Sequence, residues 1–339
     1  MESVFTANQP SFFVNQVESI IFNHYGFKCV AKEIYSDRDQ NFYILSSNKK
    51  EYILKISNPL EKKSVIIMQN KSIKYINKKD STIMVPLVCE SVSGHEILEY
   101  RYEDKSFYLR LLHFLPGNFL KDQKKNKNIL FKMGSFLAKL DNALDGFDHK
   151  AGHRKFAWNL CQQDFLIDFG NGLKTKKHRS IVELYLMKKI EYLNEHQPYL
   201  REGIIHNDAN DHNIIVNNYG DAIGIIDFGD MSYSYIASEP AIAMAYASID
   251  SREPLLDMAS ILKGYHRFYK LSDQELRFTI YLVCLRLSIS VTMSSYRSNL
   301  FPNNNYLTIS QNLAWIFLKK MQNENLEEWA DKLLKYVKS

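Results

Sequence analysis

The sequence lacks a dense cysteine framework, a clear signal peptide and a strong excess of one charge. Its four cysteines, Cys29, Cys89, Cys161 and Cys284, lie far apart and form no C-x-x-C pair. This spacing argues against a disulfide scaffold or a cysteine-bound metal ion, and we expect buried free thiols. Residues 1–5 do not combine a basic segment with an apolar one, as a signal peptide would. We therefore expect a cytoplasmic protein.

The charge and hydropathy patterns also exclude two classes of partner. The 43 Lys and Arg residues exceed the 38 Asp and Glu residues by only five, and the charges are interspersed. The most basic stretch, residues 121–127, is typical of a solvated loop, although its cations can attract anionic substrates. The most apolar long segment, residues 279–293, contains Arg286 and is too short to span a bilayer, so we predict a buried helix. We expect neither nucleic acid nor a membrane as a partner.

The 339 residues, 45% of them apolar, are sufficient for two lobes. The first part of the chain alternates short strand-like runs with polar turns and predicts an antiparallel meander. The rest is mostly helical in its periodicity. We place the boundary near Leu112, between an N-terminal lobe of residues 1–112 and a C-terminal lobe of residues 113–339. The predicted N-terminal strands are residues 29–35, 41–45, 51–56, 83–88, 96–102 and 107–114, and the predicted N-terminal helices are 14–22 and 65–76. The predicted C-terminal helices are residues 128–144, 180–195, 236–249, 254–269, 273–294, 306–321 and 326–337.

One stretch of the C-terminal lobe carries the pattern of phosphoryl-transfer chemistry. It has the form H-x-D-x-x-x-x-N from His206 to Asn213 and is followed, after a predicted hairpin of residues 213–227, by Asp227-Phe228-Gly229. Phosphoryl transfer needs divalent cations that bridge the phosphates and a group that orients the attacking hydroxyl and accepts its proton. Magnesium prefers oxygen ligands.

The hairpin brings the Asn at its start close to the Asp at its end, and the preceding loop folds the other Asp over them. We therefore predict that Asp208 orients or deprotonates the substrate hydroxyl and that Asn213 and Asp227 bind magnesium. His206 is predicted to support the loop through hydrogen bonds. Single Asp and Asn residues near turns are usually turn formers or caps, but their joint pattern favours catalysis.

These segments resemble the catalytic loop and metal-binding segment of the aminoglycoside phosphotransferase and choline kinase superfamily, a branch of the protein-kinase-like fold. Within it, residues 207–213 and 227–233 are most similar to hydroxylysine kinase-like members. Softer matches are residues 37–42, 52–56, 147–160 and 239–243. The resemblance implies an α+β, bilobal fold, with an antiparallel β N-terminal lobe that has one main helix and a larger helical C-terminal lobe that contains the catalytic β-hairpin.

The resemblance also implies a nucleotide site that takes ATP or GTP with Mg²⁺. Lys55 on the third strand would pair with the phosphates, and the loop of residues 36–41 would replace a glycine-rich loop over them. Residues 111–115 would form the hinge that offers backbone groups to the base. The predicted nucleotide-binding residues are therefore Lys55, Ser36, Arg38, Gln40, Leu112 and Phe114.

The sequence departs from the family pattern at two places. Asn207 stands where relatives commonly have glycine, and Asn tolerates unusual backbone angles better than most residues. The helix of residues 65–76 has no acid where a kinase-like fold usually supplies one to hold the strand lysine. Glu61 outside the helix and the neutral Gln69 are the nearest candidates to position Lys55.

The acceptor is expected to be a small hydroxylated amine or amino acid. Asp230, Asp211 and Glu239 lie near the catalytic segment and would complement a cationic amine, although Glu239 ahead of Pro240 is also a normal acid at a helix start. Arg154 could bind a substrate carboxylate, pair with an acid of the fold, or stack on Trp158.

The favoured prediction is a small-molecule kinase that transfers the γ-phosphate of a nucleotide to a hydroxyl of a hydroxylysine-like substrate. Aminoglycosides, homoserine and choline-type amino alcohols are alternative acceptors. A nucleotide-binding pseudoenzyme is the alternative of another class. Protein kinase activity is the least favoured because no A-P-E segment follows Asp227. We expect a monomer or a homodimer.

Overall fold

The computed structural model of the chain describes residues 4–162, 164–301 and 311–339. The contacts divide the chain into two compact units. The N-terminal unit comprises the residues up to Lys74 together with Met84–Pro116, and the C-terminal unit comprises Tyr75–Ile83 together with Gly117–Ser339. The predicted boundary at Leu112 lies inside a strand of the N-terminal unit, where Leu112 pairs with Ile53 and Val88.

The N-terminal unit is built on an antiparallel sheet. Its elements are α1 (Val14–Tyr25), β1 (Cys29–Ile34), β2 (Gln40–Ser46), β3 (Glu51–Ile56), α2 (Lys63–Lys79), β4 (Val88–Cys89), β5 (Leu98–Tyr102) and β6 (Lys105–His113). The last residues of α2, from Tyr75, belong to the C-terminal unit. The strand order is β1-β2-β3-β6-β4, and β5 pairs with β6. The predicted meander of the first three strands is confirmed.

The core of this unit follows from the alternation of side chains along the strands. Phe42 and Ile44 of β2 and Leu54 and Ile56 of β3 are fully buried, and Val17 of α1 belongs to the same apolar cluster. The predicted strand of residues 83–88 is wrong for most of its length, because only Val88–Cys89 pairs as β4. Pro86 has no N–H to give to a strand ladder, so the burial of Val85 reflects packing without strand pairing.

The C-terminal unit is mostly helical. Its helices are α3 (Lys127–Leu144), α4 (Asp164–Phe169), α5 (Lys176–His196), α6 (Ser238–Ser248), α7 (Pro254–Phe268), α8 (Asp273–Leu300), α9 (Gln311–Met321) and α10 (Leu326–Lys338). Its strands are β7 (Asn118–Phe119), β8 (Glu202–Ile205), β9 (Ile214–Val216), β10 (Ala222–Ile225) and β11 (Ser232–Tyr235). The predicted helices are confirmed, except that residues 306–310 of the segment 306–321 lie outside the described residues.

Two small sheets frame the predicted catalytic loop. The hairpin β9–β10 pairs Ile214 with Ile225, as predicted, and β7 adds a third strand. The sequence did not predict the second sheet, in which β8 and β11 pair Ile205 with Ser232. Because β8 ends at residue 205 and β11 begins at 232, this sheet holds the start of the loop beside the end of the Asp227 segment.

Helices α3 and α7 make an unusually close contact. A Cβ atom on Gly134 of α3 would lie 1.9 Å from the carbonyl oxygen of Ile261, and one on Gly264 of α7 would lie 2.0 Å from that of Phe131. The two helices therefore touch backbone to backbone at this point, with glycine on both sides.

Helix α8 is the central apolar helix of the C-terminal unit. It begins with a capping box, in which Ser272 and Glu275 each accept from the other's backbone N–H. It is long and apolar enough to cross a membrane by composition alone, but 89% of its most apolar window is buried inside the protein. This agrees with the predicted buried helix. The four cysteines are free, but only Cys284, on this helix, is fully buried, so the expectation of buried thiols holds for one of them.

Candidate active site

The carboxylate of Asp208 lies in the loop that follows β8 and is held by three donors. Its Oδ1 accepts hydrogen bonds from Asn210 Nδ2 and from Arg286 Nη2, both at 3.0 Å. Its Oδ2 accepts one from Asn213 Nδ2 at 2.7 Å. A carboxylate offers about four acceptor sites, two on each oxygen. Oδ1 is therefore filled by these donors, whereas Oδ2 retains a site for a further donor.

The side chain of Asn213 is oriented by the same contact. Its NH₂ group donates to the carboxylate of Asp208 and also to its backbone carbonyl, at 2.9 Å. Both amide hydrogens are thus directed at Asp208, which leaves the amide oxygen as the atom that can bind a cation.

Asp227 lies two residues beyond the end of β10, the strand that pairs with β9. The N–H of Ile226 donates to the carbonyl of Asn213 at 2.9 Å, so the two predicted magnesium ligands stand at the same end of the hairpin. Asp227 has a left-handed backbone, with φ 61°. Among the described residues no three His, Cys, Asp or Glu side chains group as metal ligands. A magnesium ion that also binds phosphates needs only one or two protein oxygens, which Asn213 and Asp227 supply.

The acids around Asp208 act on its ionisation. Burial raises the pKa of Asp208 to about 7, the negative charges of Asp230 and Asp227 act in the same direction, and the Arg286 guanidinium opposes them. The charges of Asp227 and Asp230 thus both disfavour the ionised form of Asp208.

His206 supports the loop, as its predicted role requires. Its Nε2 lies 3.0 Å from the carbonyl of Ile226, and its ring meets that of Phe228 edge-on with 4.9 Å between centroids. A carbonyl can only accept, so Nε2 carries the proton in this contact. Burial lowers the pKa of His206 to about 4, so the ring is neutral at physiological pH and ties the loop to the end of β10.

Asn207 adopts a left-handed backbone conformation. Its φ is 66°, a region that Asn visits more readily than most residues. Its N–H donates to Glu239 Oε2 at 2.9 Å and its Nδ2 donates to the carbonyl of Asp230 at 3.0 Å. The side-chain bond fixes the loop to the Asp227 segment, which glycine could not do.

The predicted substrate-binding role of Glu239 is wrong. This side chain is fully buried in the first turn of α6, where it accepts from the loop backbone at Asn207. Burial raises the pKa of Glu239 to about 7, and the N–H donors of the loop oppose the shift. A group without exposed surface cannot meet an acceptor molecule, so Glu239 is a support of the catalytic loop.

Arg154 and Trp158 also differ from their predicted substrate-binding roles. Arg154 Nη2 donates to the carbonyl of Gly229 at 2.7 Å, and its guanidinium lies 4.1 Å from the ring centroid of Phe156. The ring of Trp158 is instead stacked under Arg286, whose Cζ lies 4.4 Å from its centroid. Arg154 thus braces the segment that contains Asp227, and the predicted stacking on Trp158 is replaced by Arg286.

Of the acids predicted to bind an amine, Asp230 is best placed. It lies close enough to Asp208 to raise the pKa of that residue, although it is largely buried itself. Asp211 is paired with Lys125 at 3.2 Å, and its carbonyl accepts from the N–H of Lys121. The basic stretch therefore neutralises Asp211, which weakens its predicted role.

Arg286 contacts Asp208, although the sequence analysis assigned it no role in the site. It is 78 residues from Asp208 in the chain, and only its position in the middle of an apolar helix signalled a role. A charge in such a place is expected to be paired.

In the N-terminal unit, Lys55 lies on β3 with its side chain 10% exposed. Its Nζ is 3.9 Å from Oδ2 of Asp39. The other oxygen of Asp39 accepts from the N–H of Asn58 at 3.0 Å. A carboxylate beside Lys55 therefore comes from the predicted phosphate-covering loop.

Gln69 and Asn70 on α2 bind the guanidinium of Arg110. Arg110 of β6 stands directly opposite Lys55 in the sheet register. It donates to Asn70 Oδ1 at 2.8 Å and to Gln69 Oε1 at 2.6 Å. The position at which an acid was expected thus holds two neutral amides that bind the neighbouring arginine.

The predicted phosphate-covering loop is tied down at its backbone. Gln9 Nε2 donates to the carbonyl of Ser36 at 2.6 Å, and Asn58 Nδ2 donates to that of Arg38 at 3.2 Å. The guanidinium of Arg38 lies 5.2 Å from the ring centroid of Phe5. These contacts leave open the predicted roles of Ser36 and Arg38 toward a nucleotide.

The predicted nucleotide-binding role of Gln40 is wrong. Its side chain is buried, accepts from the N–H of Phe12, and donates to the carbonyl of Phe12 and to Glu33. Both of its hydrogens are used within the unit, so Gln40 anchors the segment that leads into α1.

Part of the predicted hinge is also occupied by the sheet. Leu112 is buried in β6, and the N–H of His113 donates to the carbonyl of Leu87 at 2.8 Å. The N–H of Phe114 donates to the carbonyl of Glu51 at 3.2 Å. The backbone N–H of Phe114 is therefore not available to a base. Leu115, the last residue of the predicted hinge, is the residue that follows it.

Comparison with known proteins agrees with this geometry. A model of the phosphotransferase enzyme family matches residues 30–274. The chain is 32% identical to hydroxylysine kinase of Mus musculus, over 92% of this chain and 90% of the relative. It is 30% identical to hydroxylysine kinase of Bos taurus over the same shares.

Solved structures show the same fold at lower identity. An amicoumacin kinase in complex with AMP-PNP and Ca²⁺ superposes with a TM-score of 0.71 at 16% identity, over 91% of this chain and 94% of that one. A microcompartment-associated aminopropanol kinase superposes with a TM-score of 0.69 at 16% identity, over 96% and 94%. The predicted kinase-like fold is confirmed. Since the family match spans most of the chain and includes the loop and hairpin described above, this chain belongs to the phosphotransferase enzyme family.

Proposed function

We propose that the protein transfers the γ-phosphate of ATP or GTP to the hydroxyl of a hydroxylated amino acid, and that hydroxylysine is the favoured acceptor. The observation that carries the proposal is the carboxylate of Asp208, whose Oδ1 is filled by Asn210 and Arg286 while Oδ2 keeps one acceptor site. The identity to two hydroxylysine kinases over nine-tenths of the chain supports the choice of acceptor.

In the proposed reaction the acceptor hydroxyl donates its hydrogen bond to Oδ2 of Asp208. Its oxygen attacks the γ-phosphorus in line with the leaving oxygen, and the proton passes to Asp208. The new O–P bond forms as the bond to the β-phosphate oxygen breaks. A magnesium ion bound by the Asn213 amide oxygen and the Asp227 carboxylate would supply positive charge to the phosphate oxygens. Lys55 of the N-terminal unit would contribute a further cation to the nucleotide phosphates.

The recognition of the acceptor rests on fewer residues than the sequence suggested. Glu239 is buried beneath the loop and Asp211 is paired with Lys125, so Asp230 is the acid proposed to face the substrate amine. Arg154 is engaged with the carbonyl of Gly229. It is therefore not proposed to bind the substrate carboxylate.

A screen of acceptors tests this function. Purified protein is given magnesium and ATP or GTP in parallel, and nucleotide consumption is measured with hydroxylysine, homoserine, choline, ethanolamine and several aminoglycosides. We expect turnover with hydroxylysine. Asp208→Asn should lower kcat by about 10²- to 10⁴-fold, the usual contribution of a positioned general base, and leave nucleotide affinity nearly unchanged.

Asp221→Asn is the matched control, because Asp221 lies in the neighbouring hairpin loop and pairs with Lys132 at 2.6 Å. It should keep wild-type kcat. Turnover on an aminoglycoside or a choline-type acceptor but not on amino acids would overturn the choice of acceptor. A nucleotide-dependent thermal shift without turnover on any acceptor would instead support the pseudoenzyme alternative.

A further inference from the structure

Arg286 is enclosed on every side by groups of the C-terminal unit. Its side chain is 1% exposed and lies in the middle of α8. Its Nε donates to the hydroxyl of Tyr246 at 3.2 Å, and its Nη1 donates to the carbonyl of Trp158 at 3.4 Å. The rings of Trp158 and Tyr246 lie 4.4 and 5.5 Å from its Cζ. One edge of the guanidinium, at Nη2, is thereby directed at Asp208.

The burial of the Arg286 guanidinium in the middle of α8 needs a physical explanation. Burying a guanidinium costs several kcal/mol unless it is paired and hydrogen-bonded in good geometry. An apolar residue would fill the same space in α8 without that cost. The packing of α8 therefore does not itself require a cation at position 286.

The three donors to Asp208 differ in where they come from. Asn210 and Asn213 belong to the same loop as Asp208. Arg286 comes from α8, in the core of the unit. Of these three, it is the donor that fixes the carboxylate relative to the rest of the fold.

We propose that Arg286 is a positioning residue, which holds Oδ1 of Asp208 and so turns Oδ2 toward the acceptor hydroxyl. The inference rests on the proposed function, because it assigns Asp208 the role of orienting that hydroxyl. Arg286 itself has no surface from which to touch a substrate, and its three nitrogens are engaged within the protein. Its effect on catalysis passes through Asp208.

The first test is Arg286→Lys, which keeps the charge but loses the planar fork that reaches Tyr246, Trp158 and Asp208 together. A misplacement of about 1 Å in a reacting group can cost about 100-fold in rate, and we expect a loss of kcat of that size. The KM for the acceptor and the Kd for the nucleotide should stay near the wild-type values. A variant that keeps wild-type kcat would overturn the proposal.

Arg201→Lys is the matched control. Arg201 also binds a buried carboxylate of this unit, that of Glu275 at 2.7 Å. None of the contacts described for Arg201 is with the catalytic loop. We expect it to lower the unfolding temperature and to leave kcat unchanged. An equal loss of kcat in both variants would show a general effect of packing and would overturn the specific role.

A double-mutant cycle with Asp208→Asn separates positioning from stability. If Arg286 acts through Asp208, Arg286→Lys should change kcat by less than about twofold in the Asp208→Asn background, since coupled residues are not additive. The same fold loss in both backgrounds would overturn the proposal. If Arg286→Lys does not fold, Tyr246→Phe, which removes one acceptor of the guanidinium, is used in the same cycle with the same expectation.

The cycle also distinguishes the two proposals. If the wild-type protein turns over none of the acceptors, the proposed function is overturned and this inference with it. Wild-type turnover with additive losses would overturn the role of Arg286 and leave the proposed function standing.

Discussion

In the C-terminal unit Arg286 lies 3.0 Å from Asp208, whereas in the N-terminal unit Lys55 lies 3.9 Å from Asp39. The arginine is 1% exposed and caged by two aromatic rings, and its partner carboxylate accepts from two further side chains. The lysine is 10% exposed and its partner carboxylate 24% exposed. The two units thus hold a predicted functional charge in very different ways.

The difference follows from what each charge is proposed to do. Asp208 must be in place before the acceptor arrives, and a fixed carboxylate avoids reorganisation during the reaction. Lys55 is proposed to bind a phosphate, so it must exchange one anionic partner for another. A distance of 3.9 Å is beyond a direct hydrogen bond, and a pair of that kind is exchanged at little cost.

The largest effect that tests this contrast is expected for Lys55→Met. The substitution keeps the aliphatic stem on β3 but removes the proposed partner of the phosphates. Since a hydrogen bond to a charged group contributes about 1.5–3 kcal/mol, we expect the KM for the nucleotide to rise by about 10- to 100-fold. Steady-state kinetics at saturating acceptor measure it. An unchanged nucleotide KM would remove Lys55 from the proposed site.

The buried acids of the C-terminal unit predict an intermediate effect on the pH dependence of stability. The pKa of Glu239 is raised by burial to about 7 from an ordinary value of 4.5, so the folded protein binds its proton more tightly than the unfolded chain. The resulting stabilisation is full below pH 4.5 and is lost as the pH rises through about 7. Asp141 is shifted in the same direction, by burial and then by the charge of Glu239.

We therefore expect the free energy of unfolding of Glu239→Gln to fall less steeply between pH 5 and 8 than that of the wild type, by about 2–3 kcal/mol over the range. Denaturant unfolding at several pH values measures the difference. Glu183→Gln, on the exposed side of α5, is the control and should keep the wild-type slope. His206, whose pKa is lowered to about 4, reduces stability only as the pH falls below 6.5. Parallel slopes in wild type and Glu239→Gln would contradict the assignment.

The smallest effect is expected for Asp39→Asn. The amide keeps an oxygen that can accept from the N–H of Asn58, but it removes the charge beside Lys55. Because ion pairs of this exposure contribute about 0–1 kcal/mol, we expect the nucleotide KM to change by no more than about fivefold. A loss as large as that of Lys55→Met would show that Asp39 is essential to position the lysine and that the two ion pairs are more alike than their geometry indicates.

The residues that could be predicted from the sequence are those whose relation is local in the chain. Asp208, Asn213 and Asp227 are separated by a loop and one hairpin, so the spacing alone brings them together. The strands of the N-terminal meander follow in the same way from alternation and turns. Among the predicted N-terminal strands, pairing is missing for most of the apolar run that Pro86 interrupts.

The parts that could not be predicted depend on contacts between distant segments. Arg286 reaches Asp208 across 78 residues, and it takes the place on Trp158 that the sequence suggested for the nearby Arg154. Glu239 resembles an acid at a helix start until the structure shows the loop backbone above it. Side-chain orientation and burial decide these roles, and the local spacing of residues in the sequence predicts neither.

The glycines that let α3 and α7 touch, Gly134 and Gly264, bear on how the enzyme could be controlled in a cell. Helix α7 lies in the chain between α6, which carries Glu239, and α8, which carries Arg286. An alanine at Gly264 must displace one helix from the other, and overpacking of this kind costs about 1–3 kcal/mol. Neither glycine belongs to the proposed catalytic loop or hairpin. The crossing is therefore a suitable place for a temperature-sensitive allele, active in cool cultures and lost on warming, with its chemistry untouched.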